Sequence, residues 1–363
     1  VYYSLAIENY RCFINFGIED FKRINLITGR NGAGKTTLLE AIWLHNAPNI
    51  PDLVRRVDVF RGKSEIDLDS PFGDIFAGFD VGKTIRLAAH GNWGQGQHIL
   101  RIFLENRKEA DVRLSEPNLE SIMERSTVPI RASGQQIVFE YEGDTDGKVI
   151  SYAWVEERQV AIAVRQLTLI SQQSALKVHQ TGVFLPANRR IGKEDLDRFS
   201  KVEVDMKQEA VVKILQLVEP RIKRLSVIVK EGVPALYADI GSEQLVPFEL
   251  LGDGINRLLS IGLAISNAAG GIVLVDEIEN GIYYAARAQI WKGIASFANT
   301  FDVQVFATTH SRECIEAAYQ AFSQDDPFDF RLYRLERAPD GVRAFTYDRE
   351  TLIAALESGL EVR

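Results

Sequence analysis

Eight residues, Gly29-Arg30-Asn31-Gly32-Ala33-Gly34-Lys35-Thr36, spell the pattern G-x-x-x-x-G-K-[ST], and that pattern commits the chain around it to a strand, a tight loop and a helix. The flanks agree. Ile24 to Thr28 is apolar and predicts a short buried strand, while Thr37 to His45 predicts a helix with Leu38, Leu39 and Ile42 on one face. Glycines let the backbone curl until successive N–H groups point inward at phosphate oxygens, and the helix start adds its partial positive charge. Gly29, Asn31, Gly32, Ala33, Gly34 and Thr37 are read as the cradle, Lys35 as the cation that reaches the β- and γ-phosphates, and Thr36 as a hydroxyl able to ligate Mg²⁺. A Gly-rich turn that binds nothing is the competing reading. Its four fixed positions coincide by chance in roughly one chain in a hundred of this length, so with both flanks in place the nucleotide reading prevails.

Partners for such a loop lie far along the chain. Gly271 to Val275 is a continuous apolar run, of the kind found in parallel strands buried on both faces, and it ends in Asp276-Glu277. Adjacent carboxylates at a strand end are costly to bury unless something pairs with them. Asp276 is expected to hold Mg²⁺ through water, and Glu277 to orient and polarise an attacking water. A strand running out into a polar loop is the plainer alternative, common for one acid and less so for two behind an apolar run. Val303 to Thr309 predicts the next strand, ending in His310. In a doubly wound sheet the C-terminal strand ends form the ligand edge, which would bring His310 beside Glu277 and Lys35 as a hydrogen-bond donor to the γ-phosphate. Leu250-Leu251-Gly252-Asp253-Gly254 precedes an apolar helix, Ile255–Ser266. That turn is an anion site by geometry, or a helix capped by Asp253, and the motif alone does not choose.

Elsewhere the pattern is alternating or helical. Tyr3–Ile7 and Ile14–Ile18 predict two strands before the loop-bearing one. After Pro48 and Pro51, strand-like runs occur at Thr84–Ala89, Ile99–Leu104, Gln136–Tyr141 and Val149–Val155, a β-rich stretch. Gly182–Leu185 predicts a core strand, and Asp195–Val218 a single helix ended by Pro220. Beyond His310 come a helix at Arg312–Phe322, a hairpin of Arg331–Leu335 and Val342–Tyr347 turned at Asp340-Gly341, and a last helix. No run of three or four heptads is present, which excludes a long coiled-coil arm.

A net charge of −8 argues against a surface built wholly for nucleic acid, although basic clusters stand at Arg55-Arg56, Arg189-Arg190-Ile191-Gly192-Lys193 and Arg221-Ile222-Lys223-Arg224. The two cysteines, Cys12 and Cys314, support neither a disulfide framework nor a zinc cluster. With no apolar stretch of about 18 residues and no signal-like N-terminus, no membrane association is expected and a cytoplasmic location is.

The order of these elements resembles the ABC-type ATPase head. Within that superfamily the chain is similar to bacterial AAA-labelled ATP-binding proteins related to the ATPase domains of overcoming-lysogenization-defect (OLD) nucleases, and more distantly to RecF and SMC heads. The likeness is carried by Asn9-Tyr10-Arg11-Cys12-Phe13, the phosphate loop, Leu251–Leu259, Val275–Gly281 and Ala307–Ser311, which cover both ends of the chain well and the middle poorly. It implies ATP held between two heads, hence a homodimer or higher oligomer in which Gly252 and Gly254 meet the γ-phosphate in trans, with hydrolysis separating the heads. It also implies that Arg11 lies close to the nucleotide. The usual signature serine is replaced by Gly252, and Asp253 follows it, so the hydroxyl contact is missing and Asn256 or Arg257 are the candidates to replace it. The roughly fifty residues after His310 are too few for the metal-dependent nuclease domain of OLD proteins, so the chain is not expected to be a nuclease.

The sequence thus predicts an α/β P-loop NTPase of ABC-ATPase head type, with a mixed β-sheet flanked by helices, a β-rich insertion and a helical signature lobe. One domain is expected, with residues 1–48 and 182–363 as nucleotide-binding core, the signature helix near 252–266, and 49–181 as insertion. The expected activity is Mg²⁺-dependent ATP hydrolysis by Lys35, Glu277 and His310, driving head dimerisation or switching. A second effector protein would supply the output, by analogy in a bacterial anti-phage system. Two alternatives stay open: a nucleotide-gated scaffold or clamp with little turnover, and a DNA-repair ATPase whose basic clusters bind DNA. An N-K-x-D-like guanine reader is absent, which favours ATP over GTP.

Overall fold

In a computed structural model of the protein, the described residues are 1–48, 53–54, 57, 61, 72–94, 96–106, 135–143, 147–156, 159–167, 181–187, 191–282, 287–359 and 362. They fall into two compact units, a first of Val1–Ser4, Ile18–Leu39 and Gln180–Arg363, and a second of Leu5–Gly17 and Glu40–His179. The chain opens with β1 (Tyr2–Tyr10), β2 (Phe13–Glu19), β3 (Ile24–Gly29) and α1 (Lys35–Asn46). Five strands follow: β4 (Ile85–Gly91), β5 (His98–Asn106), β6 (Gln135–Gly143), β7 (Gly147–Glu156) and β8 (Gln159–Leu167). Next come β9 (Gly182–Leu185), α2 (Lys193–Val204), α3 (Gln208–Leu215), β10 (Arg224–Lys230), β11 (Val233–Asp239), β12 (Val246–Pro247) and α4 (Asp253–Asn267). The chain ends with β13 (Ile272–Val275), α5 (Arg287–Thr300), β14 (Gln304–Thr308), α6 (Arg312–Phe322), β15 (Phe330–Ala338), β16 (Gly341–Tyr347) and α7 (Arg349–Glu357).

The first unit is built on a six-stranded sheet in the order β16-β15-β3-β14-β13-β9. β9, β13, β14, β3 and β15 run parallel, and β16 returns antiparallel to β15. Every residue of β3, β13 and β14 is buried, as their near-continuous apolar sequences require of strands covered on both faces. α4 is buried over most of its length, and a small sheet, β10-β11-β12, stands apart. The second unit is a meander, with sheet order β2-β1-β4-β5-β6-β7-β8 and antiparallel pairing from β4 to β8. The mixed α/β fold with helices flanking the sheet and a separate β-rich region is the class that the sequence predicts. No helix among the described residues is long and apolar enough to cross a membrane.

Two local readings are corrected. The single helix expected over Asp195–Val218 is two helices, because Met206 takes φ +58° and the amides of Met206 and Lys207 close back on Glu203 O and Val202 O at 3.1 and 2.9 Å. That is a Schellman stop with methionine where glycine usually stands. The last hairpin turns at Pro339-Asp340, since Ala338 pairs with Gly341. The Arg221–Arg224 cluster leads into β10, and its end residues are paired, Arg221 with Glu219 at 2.8 Å and Arg224 with Asp239 at 3.6 Å. Arg55-Arg56, Arg189-Arg190 and Pro51 lie outside the described residues.

Candidate functional site

At the C-terminal edge of the parallel sheet, β3 gives out at Gly29 and α1 begins at Lys35. Gly29 sits at φ +142°, and a Cβ there would lie 2.4 Å from Leu335 O of β15, so only glycine fits. The turn is drawn tight by Ala33 N–H donating to Arg30 O at 3.1 Å. Asn31 and Gly32 are exposed, Gly34 and Thr36 half-buried, and Ala33 and Thr37 buried. Lys35 Nζ donates to Gly29 O at 2.7 Å and Arg30 O at 3.2 Å, which folds the ammonium back over the loop. Burial pushes the Lys35 pKa down, and the charges of Asp276, Glu277 and Glu279 oppose that shift.

Asp276 follows the last residue of β13 and is 8% exposed. Thr36 Oγ1 donates to it, lying 3.1 and 3.0 Å from its two carboxylate oxygens, and Thr308 Oγ1 donates at 2.5 Å. The Thr308 hydroxyl also accepts Glu277 N–H at 2.8 Å, so the end of β14 fixes two successive acids. Burial raises the Asp276 pKa above its ordinary value, opposed by the hydroxyls of Thr308 and Thr36. Arg257, buried on α4, donates to the carbonyls of Asp276 at 2.5 Å and Pro186 at 2.9 Å, tying that helix to the ends of two strands.

Glu277 holds φ +49°, a left-handed conformation uncommon outside glycine that costs of order 1 kcal/mol and tends to occur where function demands it. Its Oε2 accepts from Asn280 Nδ2 at 2.8 Å. His310, half-exposed, places Nδ1 3.7 Å from Glu277 Oε1 and 3.2 Å from Glu279 Oε1. The structure therefore joins Lys35, Thr36, Asp276, Glu277 and His310 in one connected cluster.

The remaining predicted residues fare differently. α4 starts at Asp253, with Gly252 at its N-cap holding φ +105° and no side-chain cap bond, so capping by Asp253 is not what closes this turn. A Cβ on Gly254 would meet Gly281 O at 2.4 Å, whereas one on Gly252 would meet nothing within 4 Å. Gly254 thus packs against the loop that follows Glu277, and Gly252 faces open space. Asn256 Nδ2 donates to Glu249 O at 3.3 Å; Arg257 is engaged with the strand ends and does not stand in for a signature serine. Arg11 belongs to the second unit, where it pairs with Glu40 at 3.4 Å and Asp74 at 3.9 Å.

Sequence reasoning gave no role to Thr308, Asn280 or Glu279, and misplaced Arg257. A signal for Arg257 existed: it shares a helix face with Ile261 and Ala264, and a cation on an apolar face is rarely buried without partners.

Residues 4–225, more than half of the chain, match the model of a family described as AAA domain. The chain belongs to that family. Residues 164–315 match a second model, described as AAA ATPase domain, and the protein is an ATP-hydrolysing enzyme. The "ATP/GTP phosphatase" of Helicobacter pylori is 24% identical over 360 residues, covering 96% of either chain. Among solved structures, the chain is similar to an SMC head bound to the C-winged helix domain of ScpA, at 12% identity and TM-score 0.49 over 97% of this chain and 99% of that one. The SMC head domain from Thermotoga maritima gives 10% and 0.44 over 96% and 99%.

An AAA domain ATPase implies Mg²⁺ beside the nucleotide, and the donors present suit it. The Thr36 hydroxyl and the Asp276 carboxylate are hard oxygens that already face each other, and burial raises the pKa of that carboxylate despite the charge of Arg257. A hard divalent cation would relieve its charge.

Proposed function

We propose that the first unit holds ATP with its phosphates in the Gly29–Thr36 loop, removes the γ-phosphate by attack of water, and uses that turnover to close and open a dimer. One observation carries the reading: the unbroken line of contacts from Thr36 through Asp276 and Thr308 to the Glu277 amide, with His310 beside Glu277. It links the phosphate loop to residues suited to act on water and on a terminal phosphate. Glu277 takes the proton of the attacking water, its carboxylate held in place by Asn280. Lys35 brings positive charge to the β- and γ-oxygens, and His310 a hydrogen bond to the γ-phosphate. Thr36 and Asp276 would hold Mg²⁺, which supplies charge stabilisation at the phosphate oxygens. The name of the Helicobacter relative supports γ-phosphate chemistry and extends it to GTP; competition between ATP and GTP for turnover measures the preference.

The dimer rests on Gly252, whose open surroundings leave room for the γ-phosphate of a nucleotide held by a second copy. Mixing decides it, and because Gly254 has a packing role, the exposed Asp253 is the residue to alter. Lys35→Ala and Asp253→Trp chains should each be inactive alone and regain turnover when combined, up to about a quarter of wild type for random pairing. No recovery would assign the turn to its own chain. From the OLD-type resemblance we place the output in a second effector protein within a bacterial defence system. Strong ATP-dependent association with only a single turnover would favour the scaffold reading.

A further inference from the structure

Glu279 is a carboxylate of this site with no task in the hydrolytic reading. It is 7% exposed. Its Oε1 accepts the main-chain N–H of His310 at 2.9 Å and lies 3.2 Å from His310 Nδ1, while Oε2 is buried with no hydrogen-bond partner among the described residues. A buried carboxylate is costly unless donors hold it, and here both donors come from one residue. The backbone just beyond is pinned as well: Ser311 caps α6 through Cys314 N–H at 3.1 Å and accepts from Arg287 at 2.9 Å.

The consequence concerns the other ring nitrogen. A carboxylate facing Nδ1 takes that nitrogen as a donor. A neutral imidazole would then present a lone pair at Nε2, which repels a phosphate oxygen; only a ring protonated on both nitrogens can donate from Nε2. Glu277 stands 3.7 Å from the same nitrogen, and Lys35 of α1 feels both acids. Among the described residues, Arg287 of α5 and Cys314 of α6 are further charged or titratable groups around Glu279.

We infer that Glu279 is a positioning residue for His310: by accepting its main-chain N–H and its Nδ1–H, it turns a doubly protonated ring so that Nε2–H meets the γ-phosphate, and it leaves Glu277 for the water. The inference rests on the hydrolytic reading of this site.

The test compares binding of a non-hydrolysable ATP analogue and of ADP to the full chain with Mg²⁺. Glu279→Gln and His310→Ala should each cut the preference for triphosphate over diphosphate by about tenfold while leaving ADP affinity nearly unchanged. The double variant should be no worse than His310→Ala, and Glu279→Asp should recover most of the preference. Glu279→Gln weakening both nucleotides alike, or multiplying the effect of His310→Ala, overturns the inference. If His310→Ala keeps the preference, the reading of the site falls and this inference with it; if only Glu279→Gln keeps it, Glu279 alone is misassigned. Should Glu279→Gln not fold, ¹⁵N spectra of histidine-labelled wild-type protein decide. With five histidines in the chain, His310→Ala identifies the resonance, and Nδ1 and Nε2 of His310 should both be protonated in the triphosphate complex. An unprotonated Nδ1 there overturns the proposal.

Discussion

Glu40 in the second unit and Asp276 in the first are both buried carboxylates, and they are held in opposite ways. Glu40, 1% exposed, is met by Arg61 at 2.6 and 2.9 Å, by Arg11 at 3.4 Å and by the Tyr10 hydroxyl at 3.4 Å. Among the described residues, the hydrogen bonds to the Asp276 carboxylate come from the hydroxyls of Thr36 and Thr308, and burial raises its pKa despite the charge of Arg257. A carboxylate matched by guanidinium groups is satisfied as it stands, whereas one hydrogen-bonded by hydroxyls retains a charge that an arriving cation would relieve. On the proposed reading, the same residue type is structural in one unit and chemical in the other.

The sharpest break of that comparison is a pair of substitutions. Asp276→Asn should lower ATP turnover by about 10²–10³-fold while the melting temperature of the nucleotide-free protein stays level or rises, because the charge removed is one that burial disfavours. Glu40→Ala should do the reverse, destabilising by about 3 kcal/mol as Arg11 and Arg61 are left without their anion, as read from denaturant unfolding. If both lose stability equally, the distinction fails.

A second measurement asks whether compensation in the second unit is complete. His45 is buried with Nε2 3.0 Å from His98 O, and burial pushes its pKa from 6.5 down to about 4. The unfolded ring binds a proton before the folded one does, so stability present above pH 6.5 is lost as pH falls toward 4, by up to about 3 kcal/mol. His45→Gln should flatten that part of the stability profile; an unchanged profile would place the acid sensitivity elsewhere. The smallest expected effect is that of Gly254→Ala, about 1–3 kcal/mol of overpacking against Gly281, measured by thermal unfolding. No loss there would mean that the start of α4 is more loosely seated than its geometry implies.

The candidate site was legible where its residues are contiguous in the sequence. The phosphate loop, Asp276-Glu277 and His310 each end or follow an apolar strand, and the parallel sheet needs only to align those ends. Thr308 and Arg257 act through contacts with Asp276 made across the fold, which no local pattern encodes. The break at Met206 was hidden because its left-handed residue is not glycine. β8 is preceded in the sequence by Glu157-Arg158, which are not among the usual turn residues. β10 and β11 were legible: Leu225-Ser226-Val227-Ile228-Val229 runs into Glu231-Gly232, which takes φ +53° and +81° as a tight hairpin turn does, but the basic residues before them drew the reading toward charge.

The contact of Gly254 with Gly281 makes one mechanical part of two segments. Backbones that leave no space for a methyl group cannot slide past each other, and the hydrogen bond from Arg257 to Asp276 O adds a second rivet less than one turn further on. α4 runs to Asn267, so it reaches about 20 Å from Gly254. A tilt of the loop carrying Glu277 would therefore carry the start of α4 with it, so that this core helix and the proposed hydrolytic site shift as one piece.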